Sequence, residues 1–223
     1  MADKKQKQKS FAFGTTLKAA GILFAITLVS GVALAVVNAY TEEPIQKQQK
    51  LKQEEAYREV LPEAGSFTEL NLDILENEED LRAVLDSGDT DLRGATVTSA
   101  VLGMDAENQK AVGAVINAVT EKGYGGDIEI SVGFDANGVI TGVAILDINE
   151  TAGLGMNAKK EAFRSQYIGK AVDAFVVTKN GKQADNEIDA ISSATITSKA
   201  VTDAVNAARI FMDYMITEEE VGL

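Results

Sequence analysis

The chain has 223 residues, of which 45% are apolar, and its 34 acidic and 21 basic residues give a formal net charge of −13. It contains neither cysteine nor histidine. This composition excludes disulfides, thiolate-bound iron–sulfur clusters, His-ligated haem and triads with a histidine base, and we expect no metal site. Any redox chemistry must therefore come from an organic cofactor, and the acidic balance argues against nucleic-acid binding.

The first forty residues predict a membrane anchor. Residues 19–40 carry no charge, and a helix of that length spans about 33 Å, enough to cross a bilayer core. Five lysines precede it: Lys4, Lys5, Lys7, Lys9 and Lys18. The positive-inside rule therefore predicts that residues 1–18 are cytoplasmic, that the anchor crosses the cytoplasmic membrane once, and that the rest is extracytoplasmic. A cleaved signal peptide is the alternative, because Ala33-Leu34-Ala35 resembles a cleavage site.

A stalk and a domain are expected after the anchor. Residues 41–62 predict a stalk helix, since Pro44 suits a first turn, the following Gln, Lys and Glu residues favour helix, and Pro62 breaks it. Residues 63–223 then form the extracytoplasmic domain, which opens with an acidic stretch that predicts a short helix ending near Gly88.

The middle of the domain predicts strands. Residues 95–102 are rich in Val and Thr and predict a strand. Residues 112–119 combine helical spacing with many β-branched residues; we favour a strand, with a turn over 105–109 before it. Residues 128–132 alternate apolar and polar, and a turn over 135–138 separates them from a strand over 139–146, which together predict a β-hairpin.

The last third predicts a mixture of elements. Residues 158–167 predict a helix, residues 174–178 a strand, and residues 197–215 a final helix. Strands mixed with helices, without a βαβ rhythm, indicate an α+β domain. The final helix has one apolar face, which we expect to be buried: Ala200, Val201, Ala204, Val205, Ala208, Phe211, Met212 and Met215.

The run before the final helix suits an anion. Five of the ten residues from Asp189 to Ser198 carry hydroxyl groups. Such side chains cap helix starts, where unpaired N–H groups and the helix dipole also favour a phosphate. The residues alone leave open a second interpretation, a hydroxyl-rich cap that binds no ligand.

The sequence Asp189-x-x-Ser192-Ser193-Ala194-Thr195 resembles the flavinylation motif of the FMN-binding domain family, usually Asp-x-x-(Ser/Thr)-Gly-Ala-Thr. That family includes the G-subunit of the Rnf complex and the C-subunit of the sodium-pumping NADH:quinone oxidoreductase. The resemblance implies that a flavin transferase, using FAD, esterifies the phosphate of FMN to Thr195. Ser193 departs from the family, which usually has glycine there.

Two further runs strengthen the resemblance. Residues 123–126 are similar to the family's Gly-Tyr-Gly-Gly, and residues 150–155 to its Glu-Thr-Pro-Gly-Leu-Gly, with Ala152 in place of proline. The second run lines the isoalloxazine ring in the family, although glycine turns alone could explain either run. The implied cofactor-binding residues are Tyr124, Glu150, Thr151, Gly153, Leu154, Ser192, Ser193, Ala194, Thr195 and Thr197.

The resemblance implies an electron-transfer subunit carrying covalent FMN in an Rnf-type ferredoxin:NAD⁺ oxidoreductase, with other membrane subunits as partners. The chain has no dinucleotide fingerprint, so we expect it not to be an enzyme on its own. The alternatives are the corresponding flavoprotein of the quinone-reducing relative, a stand-alone extracytoplasmic reductase, and an anchored scaffold or solute-binding domain without a redox cofactor.

Overall fold

The computed structural model describes residues 2–88, 90–107 and 110–217. The chain divides into two compact units, Met1–Leu51 and Lys52–Leu223. The helices are α1 (Ala2–Val60), α2 (Asp73–Glu76), α3 (Glu78–Leu85), a 3₁₀ helix (Gly155–Lys159), α4 (Glu161–Arg164) and α5 (Thr195–Thr217), and the strands are β1 (Ser66–Glu69), β2 (Thr96–Met104), β3 (Ala111–Thr120), β4 (Ile128–Asp135), β5 (Ile140–Ile148), β6 (Val176–Thr178) and β7 (Glu187–Asp189).

The first unit consists of the greater part of α1. The most apolar 18-residue stretch within Ala20–Val60 has a mean hydropathy of 2.5, and none of it is buried inside the protein. Every large apolar side chain from Ile22 to Val37 is more than half exposed. A helix of this length with an apolar surface on all sides suits hydrocarbon rather than water. Residues 41–60 of the predicted stalk are helical, since α1 continues through Pro44 and ends at Val60.

The second unit contains a five-stranded antiparallel sheet in the order β1-β2-β3-β4-β5. The strand predicted at residues 112–119 is confirmed as β3, and the predicted hairpin is confirmed as β4 and β5. The carboxylate of Asp135 fixes the hairpin turn by accepting the N–H groups of Asn137 (2.8 Å) and Val139 (2.9 Å). Of the predicted turn over 105–109, residues 108 and 109 lie outside the described residues.

Helices cover both faces of the sheet, and this confirms the α+β class. Helix α5 packs on one face, and the eight apolar residues predicted to be buried on it are all fully buried. The last turns of α1 pack on the other face, where Tyr57, Val60 and Leu61 contact Val101, Val115 and Ala144 in a second, smaller core. The end of the predicted stalk therefore belongs to the core of the second unit.

Glycines let the end of α1 approach the sheet closely. A Cβ atom on Gly133 would lie 2.3 Å from the carbonyl oxygen of Val60, and one on Gly142 would lie 2.6 Å from the Val60 Cα. The hydroxyl of Thr141 donates a hydrogen bond to the same Val60 carbonyl. Since any side chain at either glycine would meet backbone atoms, only glycine permits this contact.

Several elements differ from expectation. The helix predicted over residues 158–167 is broken into the 3₁₀ helix and α4, because Lys160 between them is extended (ψ 141°). Tyr167 and Phe163 lie in the core and pack edge to face, so tertiary packing rather than helix propensity sets this segment. Strands β1 and β7 and helix α2 were not expected, and each is only three or four residues long.

We predict that Gly133→Ala lowers the free energy of unfolding by about 2–3 kcal/mol, because the new methyl group meets a backbone carbonyl that cannot move aside. Gly103→Ala is the matched control on the same face, since its Cβ would meet the side chains of Leu61 and Ala64 before any backbone atom. It should cost only about 1 kcal/mol. Urea unfolding of the full chain in detergent measures both. Equal losses would show that the end of α1 is not held against Gly133.

Candidate functional site

The two glycine-containing loops leave the sheet at the same end. In the antiparallel register Thr120 at the end of β3 pairs with Ile128 at the start of β4, and Ile128 pairs with Ile148 at the end of β5. The loop 123–126 joins β3 to β4, and the loop 150–155 follows β5. The sheet therefore brings two runs that are separated in sequence to one edge.

The start of α5 meets these loops and closes a cleft. The cleft has a volume of about 610 Å³, within the range typical of small-molecule sites. Its lining consists of Tyr124, Glu150, Thr151, Leu154, Gly155, Ser193, Ala194, Thr195, Ile196 and Thr197. All three runs singled out in the sequence contribute to this one cleft.

Eight of the ten residues expected at a cofactor site line this cleft. The other two, Gly153 and Ser192, are exposed residues next to lining residues. Two lining residues were not expected: Gly155 and Ile196. Gly155 is the last residue of the run 150–155, so that run was the sequence signal that could have identified it. Ile196 is an apolar residue at a helix start and carries no chemical signature.

The loop 123–126 is held rigidly against the loop that follows β5. The Glu150 carboxylate accepts the N–H of Tyr124 at 2.7 Å. A Cβ atom on Gly125 would lie 1.9 Å from the carbonyl oxygen of Asn149, so glycine is required for the two backbones to touch. The ring of Tyr124 is 72% exposed and stands at the mouth of the cleft.

Gly155 seats the second loop against α5. A Cβ atom there would lie 2.6 Å from Glu150 Oε2 and 2.7 Å from Thr197 Oγ1. Only a glycine fits between the carboxylate of the loop and the hydroxyl of the helix. The side chain of Thr197 is consequently buried, while that of Thr195 is half-buried and borders the cleft.

Helix α5 begins at Thr195, two residues earlier than predicted. The N–H groups of its first turn have no intrahelical acceptor and point toward the space beyond the helix start. A turn precedes the helix, in which the N–H of Ala194 donates to the carbonyl of Ile191 at 2.9 Å. Within this turn Ser193 adopts φ 62°, the left-handed region that favours glycine.

The cleft combines apolar walls with hydroxyl groups and carries little positive charge. Leu154 and Ile196 are partly exposed at its surface, and the hydroxyl-bearing residues Thr151, Ser193 and Thr195 belong to the same lining. Among the described residues, no lysine or arginine lines it. Such a site can hold a planar aromatic ring between apolar surfaces and place a weakly charged anion at the helix start.

Family models match both parts of the chain. The model of the FMN-binding domain matches residues 123–209, which include every residue of the cleft lining. The model of the RnfG N-terminal region matches residues 6–60, which correspond to helix α1. The resemblance noted in the three sequence runs is thereby confirmed.

Relatives match over most of the chain. The G-subunit of the Na⁺-translocating ferredoxin:NAD⁺ oxidoreductase complex of Acetobacterium woodii is 33% identical over 83% of this chain and 86% of that protein. The G-subunit of the proton-translocating ferredoxin:NAD⁺ oxidoreductase complex of Clostridium ljungdahlii is 32% identical over 83% of this chain and 89% of that protein. Among solved structures, NqrC of Shewanella oneidensis is 21% identical, with a TM-score of 0.45, over 54% of this chain and 59% of that one.

The fold and the cleft define an FMN-binding domain protein, and the apolar helix α1 makes it a membrane-anchored one. More narrowly, the extent of the match to its relatives shows that the chain belongs to the RnfG family, the G-subunits of ion-translocating oxidoreductase complexes.

The residues of the cleft fit FMN. The apolar surfaces of Leu154 and Ile196 and the ring of Tyr124 suit the isoalloxazine ring, and the hydroxyls and free N–H groups at the start of α5 suit the phosphate. Glu150 carries the one carboxylate among the described lining residues, and it accepts the N–H of Tyr124. FMN itself supplies one- and two-electron chemistry, which no side chain of this protein provides.

We predict that Ser193→Gly raises the free energy of unfolding by about 0.5–1 kcal/mol, because it relieves a left-handed conformation that costs a non-glycine residue about 1–2 kcal/mol. Ser192→Gly is the matched control, since Ser192 is equally an exposed serine but does not have a positive φ. It should lower the stability by about 0.5 kcal/mol through added freedom of the unfolded chain. Chemical unfolding of the two variants compares them, and a gain at both positions would contradict the assignment of strain to Ser193.

Proposed function

We propose that this chain carries one FMN, bound covalently to Thr195 through a phosphoester, and relays electrons within an Rnf-type ion-translocating ferredoxin:NAD⁺ oxidoreductase complex. One observation carries the proposal: Thr195 starts helix α5 at a cleft that the loops 123–126 and 150–155 also line. A nucleophilic hydroxyl, an anion-stabilising helix start and apolar walls are thus combined in one place.

Attachment is a phosphoryl transfer to a threonine hydroxyl. The Thr195 Oγ attacks the phosphorus of the FMN half of FAD, the P–O bond to the AMP phosphate breaks, and AMP leaves. The hydroxyl proton passes to a base supplied by a flavin transferase. A transferase is therefore the partner needed for maturation.

The charge of the product suits the cleft. Esterification turns the phosphate of FMN from a monoester into a diester, which carries a single negative charge. The free N–H groups and the dipole at the start of α5 are suited to one charge of this kind. Among the residues that the structure describes, the lining contains no lysine or arginine to neutralise a second charge. A covalent bond also retains the cofactor where free FMN is scarce.

The side chains of the cleft orient the flavin rather than react with it. Leu154, Ile196 and the Tyr124 ring line the cleft and would shield part of a bound isoalloxazine ring from water, and Thr151 would contribute a hydroxyl beside it. These groups lie on loops at the end of the sheet and at the start of α5. They would therefore determine the surroundings of the ring and hence the reduction potential of the flavin. The part of a bound ring that these side chains leave uncovered would be the edge through which electrons enter and leave.

A relay of this kind needs protein partners. The sequence contains no cysteine or histidine that could hold a redox metal beside the flavin. A single flavin therefore has no second redox centre of this kind in the chain to which it could pass electrons. The A. woodii and C. ljungdahlii relatives are subunits of ferredoxin:NAD⁺ oxidoreductase complexes. By analogy, the donor and acceptor of this flavin are centres on other membrane subunits of the same complex.

We predict that Thr195→Val abolishes covalent flavin while the domain still folds, because valine has nearly the same shape but no nucleophilic oxygen. Flavin fluorescence in denaturing gels and intact mass measure the attachment. In the assembled complex the same variant should stop ferredoxin-to-NAD⁺ electron flow without preventing assembly. Thr195→Ser restores a hydroxyl at the same position and should keep the flavin.

Thr197→Val is the control for the loss of a threonine hydroxyl from the cleft, and it should retain covalent FMN. Flavin remaining on the Thr195→Val chain would place the attachment elsewhere. Purified wild-type protein without flavin, despite coexpression of the transferase, would instead favour an anchored domain without a redox cofactor.

We further predict a single membrane crossing with the N-terminus in the cytoplasm, because five lysines precede the apolar stretch. Protease added to the outer face of the cytoplasmic membrane in spheroplasts should digest the chain from Thr41 onward and leave residues 1–18 protected. Protease added to inside-out vesicles gives the reverse pattern and serves as the control. Protection of the FMN-binding domain in spheroplasts would reject this orientation.

A further inference from the structure

Three polar side chains form a buried column on one side of helix α5. Ser198, Thr202 and Asn206 are spaced four residues apart, so they lie on the same face, and their exposures are only 0%, 2% and 1%. Buried polar groups are costly inside a helix unless each finds a partner. Here each of the three reaches a different segment of the polypeptide outside α5.

Ser198 bonds the turn that precedes the helix. Its hydroxyl accepts the N–H of Ile191 at 2.9 Å and donates to the carbonyl of Ala194 at 2.9 Å. These are the two residues that close the turn, since the N–H of Ala194 donates to the carbonyl of Ile191. One hydroxyl therefore ties both ends of the turn containing Ser193 to the first part of α5.

Thr202 and Asn206 hold other segments. The Thr202 hydroxyl donates to the carbonyl of Ser198 at 2.8 Å and lies 2.8 Å from the phenol oxygen of Tyr167. Its single proton is used on Ser198, so Tyr167 is the donor, and burial raises the pKa of the Tyr167 phenol and keeps that proton in place. Asn206 accepts the N–H of Phe175 at 2.8 Å and donates to its carbonyl at 3.0 Å.

The segment that leads into the turn is held at its other end as well. The side-chain amide of Gln166 accepts the N–H of Asp189 at 2.8 Å and donates to the Asp189 carbonyl at 3.3 Å. Residues 189–194 are thus fixed at Asp189 by Gln166 and at Ile191 and Ala194 by Ser198. Of the column on α5, Ser198 alone contacts this segment in the part of the chain that the structure describes.

We infer that Ser198 is a positioning residue for the attachment of flavin to Thr195, a role that rests on the proposed function. The turn contains the left-handed Ser193, which is strained, and the hydroxyl of Ser198 holds that strained conformation. Thr195 follows the turn directly, so its Oγ is presented to the incoming phosphorus only while the turn keeps its shape. Without Ser198 the N–H of Ile191 loses its acceptor and the turn relaxes.

The test compares Ser198→Ala with Thr202→Val in the full chain, using FAD and a purified flavin transferase. Both variants remove one buried hydroxyl from the same face of α5, but the Thr202 hydroxyl bonds Ser198 and Tyr167, which are not part of the turn. We expect Ser198→Ala to lower kcat/KM for the chain by about tenfold or more, as misplacement of a reacting group does, with the KM for FAD unchanged. Thr202→Val should attach flavin at nearly the wild-type rate despite a comparable loss of stability.

Hydrogen exchange on the flavin-free chains gives a readout that does not depend on attachment. In Ser198→Ala the amides of Ile191 and Ala194 should exchange faster, while those in the middle of α5, such as Val205, stay protected. In Thr202→Val the amides of Ile191 and Ala194 should exchange as in the wild type.

Two results would overturn the role of Ser198: attachment to Ser198→Ala at the wild-type rate, or an equal loss in Thr202→Val, which would trace the effect to stability alone. Faster exchange of the turn together with slow attachment in Ser198→Ala alone supports it. A wild-type chain that receives no flavin from the transferase would reject the proposed function itself, and this outcome is distinguished by the wild-type reaction run in parallel.

Discussion

Helix α5 lies buried along nearly its whole length against one face of the five-stranded sheet, and its apolar residues from Ala200 to Met215 supply much of the larger core. Burial of this kind stabilises by roughly 25 cal/mol for each Å² of apolar surface removed from water. Since the helix begins at Thr195, the packing that stabilises the domain also fixes the place where the helix start meets the sheet. The helix start at the candidate site is therefore held in place by the core.

The same helix carries polar residues that contribute to position rather than to hydrophobic stability. Ser198, Thr202 and Asn206 each satisfy backbone or side-chain groups of the irregular region between β5 and α5. That region has little regular structure of its own, and a segment of this length normally has many conformations. Bonds from a buried helix restrict it, because breaking one of them would leave a buried polar group without a partner.

The opposite face of the sheet joins the domain to the end of α1. Tyr57 of α1 accepts a hydrogen bond from the Asn117 side chain at 2.6 Å, and Asn117 also bonds Ser99 and Ser131 in the sheet. Burial raises the pKa of the Tyr57 phenol, so the network remains uncharged. Together with the close approach at Gly133 and Gly142, these contacts make the last turns of α1 part of the second unit.

Much of this protein was predictable from the sequence. Three features are local sequence patterns: the uncharged stretch of residues 19–40, the alternation of apolar and polar residues in the hairpin, and the apolar face of the last helix. Each shows which side of a single segment must avoid water, so it can be recognised without knowing the rest of the fold. Three short motifs also identified the family and most of the residues lining the cleft. The missing cysteine and histidine restricted the chemistry to an organic cofactor.

Other features depend on partners far away in the chain. Strand β1 exists because its backbone pairs with β2, and the segment 158–167 is broken because Phe163 and Tyr167 pack in the core, so neither could be read from local propensity. The strain at Ser193 and the contacts of Ser198 appear only once α5 and the turn are placed together. A hydrogen bond or a close approach between distant segments leaves no periodic trace in the sequence, and tertiary packing alone decided it.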